Sequence, residues 1–549
     1  MSRRARARIL SALAAVALGS SLALLPATAI GATPAWASSV PFTNRVVSSP
    51  TVGGGFPDPS GSPVPGTCAR GSFDANHSES WLAVQPGTET IVGSSKFFFD
   101  RYSTFYNFYL GSYAIGRGGA SNDIVQGYDC TTTGTQAMPP TWTNVTDPNV
   151  DFDTKGRAYM TTLPFNAYWT NLHPNGAIDV SYSDDLGGHW VKGNGGQDLE
   201  KSPDESSFSL KFEDKQWIAV NHIPGNAYQD HVYAMWTMFK GAAGEIRVAV
   251  SRDRGQTFSP EARVSLPQSV GPKNTYVYPA IDAAGTVYAS FVAFPSNGPA
   301  TIYVTRSTDD GQTWTQFSRV ATTGYLTTCC LPNTTFRDGI TESFAASPTY
   351  PGHLYLAWED WDGRQMDVKF SQSTDGGATW SPPAVVNDNV DAAGVPTDQF
   401  QPEVAAGPGG AVAVGFYDRR QACPADPSVL PADVGRRDWC IDTSLQAYRD
   451  SGAGAAAVDR NVRISSYSWD PQNPAQTLGG IGQMACSGVD DPCTESFIGD
   501  YFGLAISGGN VYALMVSTHY ASDVRADGGG PIYYQQQVLA TVPRAALGL

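Results

Sequence analysis

The residues able to do chemistry in this chain gather at two kinds of position. Some lie just before or on a recurring apolar strand: Glu79, Asp147, Asp204, Glu205, Lys273, Arg337, Glu342, Asp398, Gln401, Glu403, Glu495, Asp500 and Tyr501. Others follow the strand after it: Lys96, Arg101, the run Trp358-Glu359-Asp360-Trp361-Asp362-Gly363-Arg364, then Tyr417-Asp418-Arg419-Arg420, and His519 with Arg525. Aromatic residues are dense in the same places, with Phe97, Phe98, Phe99, Tyr102, Phe105, Tyr106, Tyr168 and Trp169. Carboxylates and guanidinium groups beside ring faces suit a carbohydrate pocket, because a sugar offers apolar faces as well as many hydroxyls. Each of these residues also has a plainer reading, as a ring wedged between sheets or a buried ion-paired group. Neither a Cys-x-x-Cys pair nor clustered histidines point to a metal. No cofactor is required by this chemistry, although a calcium ion bracing the loops stays open.

Strands must position these residues, and the strand pattern repeats. The unit is an apolar strand, a Gly-containing turn, and a strand rich in Val, Tyr and Trp. Examples are Trp217-Ile218-Ala219-Val220 with His231 to Trp236, and Tyr278-Pro279-Ala280-Ile281 with Thr286-Val287-Tyr288. Further copies begin at Trp81, Val150, Phe344, Glu403 and Tyr501, so seven units are counted, with six as the alternative. Downstream of four units stands an octet, Ser-x-Asp-x-Gly-x-x-(Trp/Phe). It occurs at Ser183 to Trp190, Ser251 to Phe258, Ser307 to Trp314 and Ser373 to Trp380. Glycine supplies positive φ and the Ser and Asp side chains satisfy turn amides, so each octet predicts a hairpin turn. Recurrence at this period predicts a repeat architecture, an all-β propeller of four-stranded blades. The octets would then lie on one face, and the polar residues above on the other, where the long loops run.

Composition sets the class. Only 16% of residues are charged, while 57 Gly and 38 Pro suit many strands joined by tight turns. Residues 1–37 read as an export signal: Arg3, Arg4, Arg6 and Arg8, an apolar run from Ile9 to Leu25, and Ala35-Trp36-Ala37 as a cleavage site. Residues 38–70 are a Gly/Pro-rich leader, and 71–549 form the propeller. Removing the four signal arginines takes the formal net charge from −16 to about −20, which disfavours nucleic acid and anionic lipid as partners. No later apolar run is long enough to span a membrane, so the expectation is a secreted monomer. Eight cysteines in an exported chain predict disulfides. Spacing favours Cys423–Cys440 and Cys486–Cys493, with Cys68–Cys130 and a vicinal Cys329–Cys330 as the remaining pairs.

The four octets resemble the Asp boxes of the sialidase superfamily, and the resemblance covers nearly all of 71–549. It implies a secreted enzyme that cleaves terminal, in part acidic, sugars. In that family three arginines clamp the substrate carboxylate, a Tyr activated by a Glu attacks the anomeric carbon, and an Asp serves as acid/base. A neutral Tyr avoids repulsion by the substrate carboxylate, which the arginines neutralise. Carried onto this chain, Tyr501 with Glu403 forms the nucleophile pair, and Asp500 or Asp418 is the acid. Arg337 and Arg419, with Arg101 or Arg364, form the clamp beside Trp361. The chain departs from the family at its Phe-Arg-(Ile/Leu)-Pro motif; the nearest string is Phe336-Arg337-Asp338-Gly339. That departure keeps two rivals open, a non-catalytic glycan- or protein-binding propeller and a polysaccharide lyase using His519 and Tyr520. Convergence of the arginines on one void would mark the hydrolase.

Overall fold

The computed structural model describes residues 40–48, 76–98, 108–115, 121–124, 144–165, 176–202, 211–241, 243–266, 273–295, 299–327, 330–339, 342–390, 394–472, 485–486, 496–525, 531–533 and 535–549. All belong to the unit Trp36–Leu549. Among them the architecture is all-β. Strand-rich segments of alternating and β-branched residues, cut by Gly turns, leave helix only as short 3₁₀ turns such as Arg544–Leu547.

Apart from two short hairpin pairs, Ala485–Cys486 with Ser496–Phe497 and Ala521–Arg525 with Pro531–Tyr533, the described strands fall into seven antiparallel groups, each starting from an inner strand. These inner strands are Asn76–Val84, Asn144–Phe152, Lys211–Val220, Lys273–Ile281, Glu342–Ala346, Gln399–Gly407 and Gly503–Ile506. The third and fourth groups are joined only by one parallel bridge, Gly244 to Lys273. In the last group the outermost strand is Thr43–Val46, from the opposite end of the chain, paired with Gln536–Pro543. Each inner strand lies against the inner strand of the next group, and Gly503–Ile506 lies against Asn76–Val84. Apolar layers fill the spaces between groups, for example Val92, Val145, Met160 and Trp190 between the first two.

All four octets close turns after third strands in the same way. The Ser183 hydroxyl donates to Asp185 at 2.8 Å and accepts the Gly187 N–H at 2.8 Å. Ser251, Ser307 and Ser373 repeat both bonds. His189, within the first octet, donates its N–H to Asp185.

A second repeated device lies at the other end of the inner strands. Five of them slip register at one place: Ser78/Trp81, Thr146/Asn149, Asp214/Trp217, Thr275/Tyr278 and Phe400/Glu403. In each bulge one non-glycine residue has positive φ: Glu79 at 50°, Asp147 at 54°, Lys215 at 49°, Tyr276 at 57° and Gln401 at 46°. Such conformations cost of order 1–3 kcal/mol apiece and persist where surrounding structure enforces them, often at functional sites. Bulges also re-aim side chains, and here they deliver five polar ones to one end of the inner strands.

Candidate active site

Two rings of side chains follow from the bulges. The deeper ring is apolar. Trp81, Trp217 and Tyr278 come from three inner strands and Tyr501 from the segment just before the seventh, and they meet in the middle, with Trp217 centred 4.7 Å from Trp81, 4.3 Å from Tyr278 and 4.9 Å from Tyr501. These edge and tilted contacts make a closed aromatic floor.

Above it stands the charged ring. Lys215 Nζ reaches Asp500 Oδ2 at 2.6 Å and Asp147 Oδ2 at 3.9 Å. Arg337 grips the same Asp500, and Lys96 Nζ pairs with Glu79 Oε2 at 2.7 Å. The Thr146 hydroxyl sits 2.7 Å from Asp147 Oδ1 and 3.3 Å from Glu79 Oε2. Side-chain exposure grades from floor to mouth: Glu79 1%, Asp147 6%, Asp500 12%, Lys215 13% and Arg337 43%. Gln401 donates to the Gly499 carbonyl at 2.8 Å, tying the sixth group to the seventh beside Asp500.

The electrostatics separate these carboxyls. Burial, reinforced by the charge of Asp147, pushes Glu79 up to about 8 despite Lys96. Burial would raise Asp147 too, but Lys215 and Lys96, with hydrogen bonds from Glu79 and Thr146, outweigh it and hold Asp147 low. The shifts set the two carboxyls apart, with Glu79 favouring its protonated form and Asp147 its ionised form. Asp500 is held far below the carboxylate range because Arg337 and Lys215 overcome its burial. Burial pushes Asp214 up to about 6 and the half-buried Tyr276 phenol up to about 12. Divergent carboxyls in one cleft are the arrangement that acid–base chemistry uses.

The residues singled out in the sequence divide into several places. Arg337, Asp500 and Tyr501 reach the centre. Tyr501 is 3% exposed, and its hydroxyl has no hydrogen-bond partner among the described residues. Glu403 accepts from Ser343 at 2.7 Å, and burial raises it well above the usual range. No hydrogen bond joins Glu403 to Tyr501 among the described residues.

Asp418 is fully buried between Arg420 at 2.6 Å and Ser444 at 2.6 Å. Arg419, equally buried, pairs with Asp398 at 3.1 Å and Asp438 at 3.4 Å, and donates to the carbonyls of Pro332 and Asp438. It clasps loops rather than facing the cleft. Arg364 is exposed on the turn after a second strand, donating to the Gly394 carbonyl at 2.7 Å, and Trp361 is half-buried against the core. Arg101 lies outside the described residues. Of the described arginines that were expected to converge, Arg337 reaches the centre while Arg364 and Arg419 do not.

The pair considered for lyase chemistry is placed elsewhere. His519 stacks on Tyr467 at 3.7 Å and meets the edge of Tyr520 at 5.2 Å, with Asp426 3.6 Å from its Nδ1. The Cys423–Cys440 disulfide closes the neighbouring loop, as its spacing predicts, and Cys330 is also disulfide-bonded. The remaining expected pairings lie outside the described side chains. Among the described residues no group of three or more His, Cys, Asp or Glu is arranged to hold a metal, and no helix is long and apolar enough to cross a membrane.

The roles of Lys215 and Tyr276, and the pairing of Glu79 with Asp147, are not apparent from residue type. Position is the available signal: Glu79, Asp147, Lys215, Tyr276 and Gln401 each stand two residues before the inner-strand residue at which register resumes, namely Trp81, Asn149, Trp217, Tyr278 and Glu403.

No family model matches the sequence, and no curated protein matches it. Among solved structures, it is similar to a protein of unknown function from Dyadobacter fermentans, with 11% identity over 93% of this chain and 99% of that one and a TM-score of 0.42. It is similar to the α-L-arabinofuranosidase Arb93A of Fusarium graminearum, with 16% identity over 58% and 91% and a TM-score of 0.33. A leech intramolecular trans-sialidase matches with 12% identity over 86% and 69% and a TM-score of 0.37.

Proposed function

We propose that this chain is a secreted glycan-acting hydrolase that cleaves terminal sugars, acidic ones included, in the cleft above the aromatic floor. The observation that carries this reading is the convergence of Glu79 and Asp147, bridged by the Thr146 hydroxyl, with Asp500 held by Lys215 and the exposed guanidinium of Arg337. A glycosidase needs a carboxylic acid that is protonated near neutral pH and a second carboxylate that stays ionised. Glu79, raised by burial and by the charge of Asp147, supplies the first and hands its proton to the leaving oxygen. Asp500 supplies the second, its negative charge opposing the positive charge that develops on the sugar. Arg337 and Lys215 neutralise an acidic substituent, and the half-buried rings of Trp81 and Tyr276 offer apolar surface on which a sugar packs.

The propeller reading belongs with this proposal. Inner strands that touch in succession, with the seventh against the first and Thr43–Val46 completing the last group, support a ring of seven blades. A closed ring leaves no open sheet edge, which favours a monomer. The Arg-rich start with its apolar run, together with the Cys423–Cys440 disulfide, supports export.

A second reading, a non-catalytic glycan-binding module, is favoured by the placement of Arg364 and Arg419 away from the centre and by the double ion-pairing of Asp500. One assay separates the two. Fluorophore release from an α-sialoside and from a panel of neutral and acidic aryl glycosides is measured for the mature chain, Glu79→Gln and Arg337→Ala. Release that collapses in Glu79→Gln supports the hydrolase. Sugar binding without release across the whole panel supports the module.

A further inference from the structure

We infer that a row of aromatic rings leading out of the cleft over the third and fourth strand groups binds an extended, anionic polysaccharide chain. The inference rests on the glycan reading above in one respect: it takes the central cleft as the inner end of the row.

The row starts at the cleft. Tyr276, whose ring lies 5.6 Å from Lys215 Nζ, is centred 6.5 Å from Phe294. Phe294 meets the edge of Tyr325 at 6.2 Å. On its other side the Lys273 ammonium sits 5.4 Å from the Phe294 ring and 5.7 Å from the Phe239 ring, bridging the two groups. Phe239 in turn stacks on Phe212 at 4.8 Å and 26°. The positions are those of one face: starts of inner strands for Phe212 and Lys273, ends of second strands for Phe239 and Phe294, and the exit of a fourth strand for Tyr325.

Two features identify the occupant. First, the outer rings are left open: Phe212 is 43% and Tyr325 42% exposed, although each has a neighbouring ring against which it could have been covered. Open ring faces spaced along a track match successive sugar rings, each with one apolar face. Second, the charge set among the rings is positive. Lys273 is exposed and makes no ion pair among the described residues, whereas Lys215 and Arg337 at the inner end are paired with Asp500, and the chain as a whole carries a formal charge of −16. Cations placed on one strip of an acidic protein select a ligand with negative groups. A polymer of uronate-type or sulfated sugars has both features; a terminal sugar alone would not reach Phe212.

The test is affinity electrophoresis of the mature chain through gels containing polygalacturonate, hyaluronan or chondroitin sulfate, with dextran as the neutral control. Phe212→Ala, Tyr325→Ala and Lys273→Ala are run alongside, and cleavage of a small aryl glycoside is followed in parallel. Retardation by at least one anionic polymer and not by dextran is expected. Each aromatic truncation should weaken it about two- to tenfold, and Lys273→Ala should weaken it and flatten its salt dependence. Small-substrate cleavage should be unchanged in all three. Absence of retardation by all three anionic polymers, equal retardation by dextran, or retardation indifferent to the three substitutions would each overturn the inference. Retardation that behaves as expected without any aryl glycoside cleavage would instead count against the hydrolase reading alone.

Discussion

Arg337 holds Asp500 in a two-pronged grip, Nε to Oδ1 at 3.0 Å and Nη2 to Oδ2 at 2.6 Å, while Lys215 takes the same Oδ2. Bidentate pairs of this kind are the stronger class of charge-assisted hydrogen bond. Asp500 therefore occupies the cations that a substrate anion would use. Asp500→Asn should release both and tighten binding of an anionic monosaccharide severalfold at low ionic strength, while abolishing turnover. Arg337→Ala should weaken the same binding. Titration calorimetry at two salt concentrations checks the pair; weaker anion binding in Asp500→Asn would show that the carboxylate contacts the ligand directly.

Tyr501→Phe and Glu79→Gln separate the two accounts of the chemistry. The Tyr501 hydroxyl is buried without a hydrogen-bond partner among the described residues, and its burial raises it well above the usual phenol range, so it is a poor nucleophile as placed. Losing an unsatisfied hydroxyl should cost less than about 1 kcal/mol of stability. Turnover should survive in Tyr501→Phe and fall by about 100-fold or more in Glu79→Gln, the scale of a lost proton donor. Steady-state kinetics on one substrate decides it: collapse in Tyr501→Phe restores the tyrosine nucleophile that the family resemblance implies.

How much of this was legible beforehand differs between fold and site. The octets declare their turns locally, because Ser, Asp and Gly at fixed offsets bond one another whatever surrounds them. Alternation and turn residues likewise make the all-β class readable. The site is a different matter, since it depends on register. A bulge exchanges which side chains face inward, and nothing in Glu79-Ser80-Trp81 or Lys215-Gln216-Trp217 taken alone reveals a slip. Ion pairing across long separations is equally hidden. Arg419 and Asp418 have the residue types of a site, yet Asp398, Asp438 and Arg420 consume them inside the sixth group and its loops.

Buried carboxyls should make stability depend on pH in an uncommon direction. Burial raises Glu79 to about 8, and Asp179, Glu213 and Asp398 each to about 7. A group whose folded value is raised contributes stability that is complete below its unfolded value, about 4, and that is lost as pH rises through the folded value. Asp500, depressed by Arg337 and Lys215, works the other way and loses its contribution only in strong acid. The thermal midpoint should therefore be highest near pH 4 and decline toward pH 8, by about a few kcal/mol in equivalent stability. Turnover should fall above about pH 8 as Glu79 loses its proton. Calorimetric scans from pH 4 to 9 check the first, and Glu79→Gln should flatten the upper part of the profile.

Arg419 should matter for folding more than for chemistry. Its guanidinium is fully buried, and its removal would strand Asp398 and Asp438 without their cation. Breaking a buried pair on one side costs about 3–5 kcal/mol. Arg419→Ala should lower the denaturation midpoint accordingly. Arg419→Lys should recover little, because one ammonium cannot also reach the carbonyls of Pro332 and Asp438. Urea titration measures both, and a midpoint within about 1 kcal/mol of wild type for Arg419→Ala would mean the clasp is dispensable.

The Cys423–Cys440 bridge should stabilise the same region through the unfolded chain. It spans 17 residues, and a loop of that length gives about 3 kcal/mol in the chain-entropy account. The loop it closes lies against Arg419 through Asp438, whose N–H donates to the Arg419 carbonyl. The double replacement Cys423→Ser/Cys440→Ser should thus lower the midpoint on its own. Combined with Arg419→Ala it should lower it by less than the sum, because once the clasp is lost the loop has less order for the bridge to protect. A double-mutant cycle in urea reads the coupling directly; strict additivity would mean that disulfide and clasp hold separate elements.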